Sequence, residues 1–134
     1  MNLLSGVHFN RLEGAVQASV ARQNTIANNI ANVDTPYFKR SDVEFEHILR
    51  QQMTGGTLQG TRTDERHFYI GANPMTPSSR IVRDETEAMN NNKNNVDMDR
   101  EMSMQAENQL RYYTFVQQVN HHINMMKTSM DVRR

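Results

Sequence analysis

Two apolar seams, one at each end of the chain and both at helical spacing, constrain this sequence more than any other feature. Stepping alternately by three and four from Phe9 reaches Leu12, Val16, Ser19, Gln23, Ile26, Ile30 and Val33. Six of the eight positions are apolar, which makes the narrow seam of a coiled coil rather than the broad stripe of a core-facing helix. The spacing predicts a helix from about residue 7 to residue 33. Asp34 and Thr35 continue it poorly, and Pro36 disfavours helical geometry at the residue before it. From Met98 the same stepping reaches Met102, Gln105, Gln109, Tyr112, Val116, Val119, Ile123, Met126 and Met130. A helix of about 30 residues there would span roughly 45 Å. Asp97 or Asp99 is placed to cap it, and Glu101 adds first-turn charge that suits the helix dipole.

Both seams carry polar residues at their middle: Ser19 and Gln23 in one, Gln105 and Gln109 in the other. Two explanations stay open. These positions lie at the edge of the seam, since Ala106, Leu110 and Tyr113 offer a neighbouring stripe, or they fix helix register at a cost in stability. A second oddity is the stretch QNTIANNIAN, residues 23–32, where asparagine, a poor helix former, recurs beside the apolar residues. Asn24, Asn28 and Asn32 lie four apart and form a ladder along the flank of Ile26, Ile30 and Val33. Left in solvent they only lower helix propensity; packed against partners, each amide can make directional hydrogen bonds.

Composition sharpens the point. Only 37% of the 134 residues are hydrophobic and mean hydropathy is −0.78, so the chain buries a thin seam more readily than a thick core. Basic and acidic residues balance at net charge zero, which gives no general attraction to nucleic acid or to an anionic membrane. There is no cysteine, hence no disulfide framework and no thiolate chemistry. The opening residues MNLLSGVHF lack a basic n-region and a sustained apolar run, so no cleaved signal peptide is expected.

Between the seams the pattern changes. Residues 43–53 predict a short helix with Phe45, Ile48, Leu49 and Met53 on one side. RHFYIGA and SRIVRD are the strand-like runs of an otherwise Gly-, Thr-, Pro- and Ser-rich stretch, and NNNKNN, residues 90–95, reads as a linker with no means of packing. No catalytic, cofactor or metal site emerges. His121 and His122 are adjacent, so on a helix they point about 100° apart and cannot chelate one ion together. GGTLQG lacks the lysine of a phosphate-binding loop, and Ser78 and Ser79 have no histidine near them in sequence. The ten methionines supply adaptable packing.

IANNIANVDTPYFKR resembles the N-terminal signature of the bacterial flagellar rod, hook and filament-associated proteins, approximately A-x-N-[IL]-A-N-x-x-T-x-G-[YF]-K. Ala27, Asn29, Ile30, Ala31, Asn32, Thr35, Phe38 and Lys39 match it. Tyr37 stands where the family commonly has glycine, and a bulky residue avoids positive φ, so a left-handed turn is not expected there. The C-terminal stretch resembles the matching end of the basal-body rod proteins, most like their proximal rod members, through Asn94, Val96, Asp97, Met98, Asp99, Glu101, Asn108, Leu110 and Tyr112. The resemblance implies a structural subunit, not an enzyme, that leaves the cell unfolded through the flagellar type III export apparatus without a cleaved signal. It also implies a basal-body location outside the cytoplasmic membrane. The implied partners are copies of itself, other rod proteins, and membrane-ring and rod-adaptor proteins, with no nucleic acid or small-molecule substrate. Phe45 and Leu49 are similar to an export-gate recognition element; an ordinary amphipathic helix turn reads the same way.

The expectation is therefore a mainly α fold. Terminal helices within 1–35 and 96–134 form a coiled-coil pair, and 36–95 form a short helix plus an extended or irregular segment with an Asn-rich linker. Leu12, Val16, Ile26 and Ile30 would meet Val116, Val119, Ile123 and Met126. Asn28, Asn29, Asn32, Leu110 and Tyr112 would join them in packing subunits together. A stand-alone helical adaptor or chaperone-like module, using the Met-rich C-terminal helix to bind a groove, remains the alternative.

Overall fold

The computed structural model describes residues 6–54, Arg66, 78–86 and 93–131. Helix α1, Val7–Ala31, is followed by strand β1, Ser41–Glu44, helix α2, Glu46–Thr54, strand β2, Arg80–Arg83, and helix α3, Met98–Asp131. The fold is mainly α, with two long terminal helices packed on each other and a two-stranded sheet between them in sequence. β1 and β2 are antiparallel, with Ser41 opposite Arg83 and Val43 opposite Ile81. GGTLQG and most of RHFYIGA lie outside the described residues, whereas SRIVRD supplies β2.

Helix α1 ends at Ala31, five residues before Pro36. The Asn32 N–H turns back to Asn29 O at 3.1 Å and the Val33 N–H to Ile30 O at 3.3 Å, so tightened turns close the helix before proline acts. Tyr37 then adopts φ +62°, against expectation, because Asn94 ties the preceding carbonyls of Asn32, Val33 and Thr35. The short helix begins at Glu46 rather than Val43. Val43 belongs to β1, and the carbonyl of Phe45 accepts the first helical bond from Leu49 N at 2.8 Å. Met53, expected on the buried side of α2, is exposed.

The long helices run antiparallel. Phe9 meets His122 with ring centroids 6.2 Å apart, Asn108 Nδ2 donates to Ser19 O at 2.9 Å, and Asn29 Nδ2 donates to Glu101 at 3.1 Å. This register corrects one expected pairing. Ile26 and Ile30 lie beside the start of α3, roughly 30 Å or more along the axis from Ile123 and Met126 at 1.5 Å per residue. Val16 does sit beside Val116 and Val119.

The buried stripe of α1 is also rotated from the expected seam. Ala15, Ala18, Ser19, Thr25, Ile26 and Asn29 are buried, while Gln23 is exposed. Small residues are chosen because Phe45 and Phe115 fill the space above them, with Leu49 alongside. On α3 the early seam shifts by one residue. Glu101 and Asn108 are buried, whereas Met102, Gln105 and Gln109 are exposed. From Tyr112 onward, Val116, Val119, Ile123 and Met126 take the half-buried positions that the spacing predicts.

Candidate assembly interface

Asn29 organises a buried polar node at the junction of α1, β1 and α3. Its side chain is fully buried. The amide accepts from Ser41 N at 3.1 Å and donates to Ser41 O at 2.8 Å, mimicking a neighbouring strand. The same Nδ2 reaches Glu101 Oε2, whose other oxygen accepts from Arg40 Nε at 2.6 Å. Arg40 also faces Asp42 at 3.2 Å and Asp84 at 3.8 Å, and its Nη2 lies 3.2 Å from the Met104 sulfur. Burial opposes the Arg40 charge, but the hydrogen bond and charge of Glu101, with Asp42, outweigh it and hold its pKa above the ordinary value. A pair this dry contributes little net stability while complete, but removing either partner strands a charge in the interior.

Glu101 does sit in the first turn of α3, but its carboxylate is buried against Asn29 and Arg40. Asp97 is the cap, its Oδ1 accepting from Asp99 N at 3.0 Å and Arg100 N at 3.3 Å. The end of NNNKNN, read as a linker with no means of packing, is instead held tightly. Asn94 is fully buried, and its Nδ2 donates to the carbonyls of Asn32, Val33 and Thr35 at 2.8–2.9 Å. These carbonyls follow the end of α1, and two of them also accept within the turn, Asn32 O from Thr35 N at 3.1 Å and Thr35 O from Phe38 N at 3.3 Å. Asn95 continues the clasp through Arg40 N and Asp84 O. A hydrophobic-period scan has no means of seeing such contacts, because an amide scores as polar wherever it sits.

A second polar cluster joins the three helices nearer the surface. Glu46 accepts from Arg22 at 2.7 Å and Arg111 at 3.0 Å, and Arg111 also pairs with Glu107 at 2.6 Å. The Arg22 hydrogen bond, against the effect of burial, holds the Glu46 carboxyl below its usual range, and the same bond raises the Arg22 pKa. Deeper in, Asn108 holds register through Ser19 O, while its Oδ1 is buried and finds no hydrogen-bond partner among the described residues. An amide therefore does pin the helix pair, but it is Asn108 on the Ser19 backbone carbonyl rather than Gln105, Gln109 or Gln23, and the Ser19 hydroxyl bonds Ala15 O within α1.

Among the described residues, the opposite side of the helix pair carries no third element. Ala15, Ala18 and Phe115 face α2 and Phe45, whereas Val16 and Val116, one residue on, point about 100° away. There Phe9, Val16, Val116 and Val119 line an apolar groove of about 360 Å³, flanked by Glu13, Gln17 and Asn120. Among the described residues only α1 and α3 contribute to it. Val20 on α1 and Met98, Met102, Leu110 and Tyr113 on α3 are exposed large apolar residues, with Leu110 70% exposed. Of the other residues expected to pack subunits together, Leu12, Ile30, Asn32, Tyr112, Ile123 and Met126 are half-buried, Asn28 is exposed and Asn29 is internal. Phe45 is buried and Leu49 half-buried. His121 is exposed and His122 packs on Phe9. Among the described residues no group of His, Asp and Glu is placed to hold a metal ion, and no helix is long and apolar enough to cross a membrane.

A family profile described as flagella basal body rod protein matches residues 9–39, the span from the groove-lining Phe9 to the residue before Arg40. Flagellar basal body rod protein FlgB of Bacillus subtilis is 38% identical over 128 residues, covering 96% of this chain and 95% of its own. The chain belongs to the FlgB family of flagellar basal body rod proteins. FlgB of Proteus mirabilis is 33% identical over 127 residues, covering 88% of this chain and 89% of its own. FlgB of Borreliella burgdorferi is 35% identical over 97 residues, covering 69% and 72%. As a FlgB-family chain it is a structural component of the flagellar basal body rod. Within it, the signature residues Asn29 and Asn32 serve the fold itself, as strand mimic and as helix terminus.

Proposed function

We propose that this chain polymerises with copies of itself and with other rod proteins into a tubular shaft after type III export, and that its bare helical face is the contact. The supporting observation is the groove lined by Phe9, Val16, Val116 and Val119, with Val20, Met102 and Tyr113 exposed elsewhere on the same two helices. An apolar strip along two helices, lined among the described residues by α1 and α3 alone, marks an interaction surface. The helix pair defers part of its burial until neighbours arrive, so folding and assembly are coupled. Such a subunit stays exportable and settles beside the membrane-ring and rod-adaptor proteins at the base of the rod.

Circular dichroism and sedimentation across a concentration series test this. Helicity and mass rise together in the native chain, and Val116→Glu, which places a charge in the groove, abolishes the rise. Fully helical monomer at every concentration overturns the reading. A defined small oligomer with a foreign client would favour the adaptor alternative.

Phe45 and Leu49 bear on export. Phe45 packs against Ala15 and Ala18 of α1, so an apparatus that reads it must meet the chain before α1 docks. Phe45→Ala is expected to lower secretion, whereas Glu101→Gln, which weakens the fold elsewhere, leaves it unchanged. Equal secretion of both variants removes the element.

A further inference from the structure

The two edges of the small sheet are finished differently. Asp84 N donates to Arg40 O at 2.8 Å, so with Ser41 opposite Arg83 the hydrogen-bonded pairs of the ladder fall at Asp42–Val82 and Glu44–Arg80. Ser41 and Val43 therefore turn their backbone groups away from β2, and side chains meet them there. Asn29 takes both groups of Ser41. Arg22 Nη2 donates to Val43 O at 3.1 Å, and the Asp42 carboxylate accepts from Val43 N at 2.7 Å. On the far side Ile81 and Arg83 turn their groups outward. Among the described residues neither the N–H nor the C=O of either one finds a hydrogen-bond partner. One edge of the sheet is closed by side chains and the other is open.

The side chains along the open edge state what it would accept. Ile81 is 63% exposed, although Val43 directly opposite is 3% exposed, so apolar cover ends between the two strands. Arg80 and Arg83 are exposed, and among the described residues neither forms an ion pair. Arginines on an edge discourage pairing with an apolar or basic strand. The same charges favour an acidic one, because opposite charges across a ladder attract and like charges repel. β1 is the precedent on the other side of β2: it sets Val43 opposite Ile81 and Glu44 opposite Arg80.

We propose that the outer edge of β2 is a strand-addition site for an extended acidic segment of a neighbouring protein, with carboxylates opposite Arg83 and Arg80 and an apolar residue opposite Ile81. An antiparallel strand there reads, from its N-terminus, acid, any residue, apolar, acid. Backbone bonds to Ile81 and Arg83 supply affinity, and the side chains supply selectivity. β2 contributes nothing to the helical groove, so this site goes beyond the assembly reading and stands or falls separately.

The end-blocked peptide Thr-Glu-Thr-Val-Glu-Thr is the probe, titrated into the full chain at a protein concentration where helicity has reached its plateau. Amide hydrogen exchange reads the outcome residue by residue. The Ile81 and Arg83 amides should slow about threefold or more at saturation, while the Val82 amide, already bonded to β1, does not change. A peptide with lysine in place of both glutamates should bind about tenfold more weakly, and Arg80→Glu with Arg83→Glu should reverse that preference. Ile81→Pro removes an outward N–H that β1 does not use, so the β1 pairing stays while peptide binding falls about tenfold or more. Slow exchange of both amides in the chain alone overturns the proposal, because the edge is then already paired, within the chain or with a second copy. Absence of binding, equal binding of the two peptides, or full binding by Ile81→Pro overturns it as well. None of these outcomes bears on the groove, which Val116→Glu tests by itself.

Discussion

The two ends of the helix pair are held by different physics. At the end built around Asn29, the contacts are directional: Arg40, Glu101, Asn94 and Ser41 interlock through hydrogen bonds of 2.6–3.1 Å between side chains and backbone. At the other end Phe9, Val16, Val116 and Val119 meet as half-buried apolar surface, with Phe9 against His122 as its ring contact. A hydrogen-bonded node has one correct geometry and tolerates no missing member, whereas an apolar strip gains from any apolar surface laid on it. One end therefore specifies the subunit's shape, and the other leaves apolar area open among the described residues.

Substitutions separate the two ends by the sign and size of their effects. The largest loss of stability is expected for Glu101→Ala, which leaves Arg40 charged, buried and without its main partner, at about 3–5 kcal/mol. Chemical denaturation of the assembled protein measures it, and a cost below about 1 kcal/mol would show that water or rearrangement replaces the node. Asn94→Ala follows, expected to cost about 1–3 kcal/mol because the buried amide that ties the Asn32, Val33 and Thr35 carbonyls together is lost. Hydrogen exchange at 31–38 should accelerate with it. By contrast Val16→Ser at the apolar end should change subunit stability by under about 1 kcal/mol, its side chain being half-exposed already, yet weaken assembly in sedimentation. Equal stability losses at both ends would mean that the two are held alike.

The smallest expected effect is one of pH. Hydrogen bonds from the Thr86 side chain and backbone hold Asp84 below its ordinary value, as the Arg22 bond does for Glu46. Both carboxyls therefore stabilise the folded chain fully above the ordinary carboxylate range, about pH 4, and lose that contribution as pH falls through their lower folded values. Helicity is expected to decline below about pH 4, and less so in Glu46→Gln. Glu46 is half-exposed, so solvent screening keeps its share small. An acid limb unchanged by that substitution would assign the decline elsewhere.

Helical spacing by itself determined that this chain makes two long terminal helices with slender apolar seams, because a period of three and four is written in residue order. It also carried the family, since the signature near Asn29 and the Asp97 region are local strings. Tertiary structure decided which side of each helix turns inward. Phe45 and Phe115 select the small residues Ala15 and Ala18 over their larger neighbours, a choice that depends on volumes from distant segments. It also decided that Glu101, Asn94 and Asn29 go inside, although each reads as a surface residue alone. A buried polar group is stable only with its partners in place, and those partners lie up to 72 positions away along the chain. Tyr37 is the same lesson in the backbone: its side chain argues against a left-handed turn, and the clasp of Asn94 overrules it.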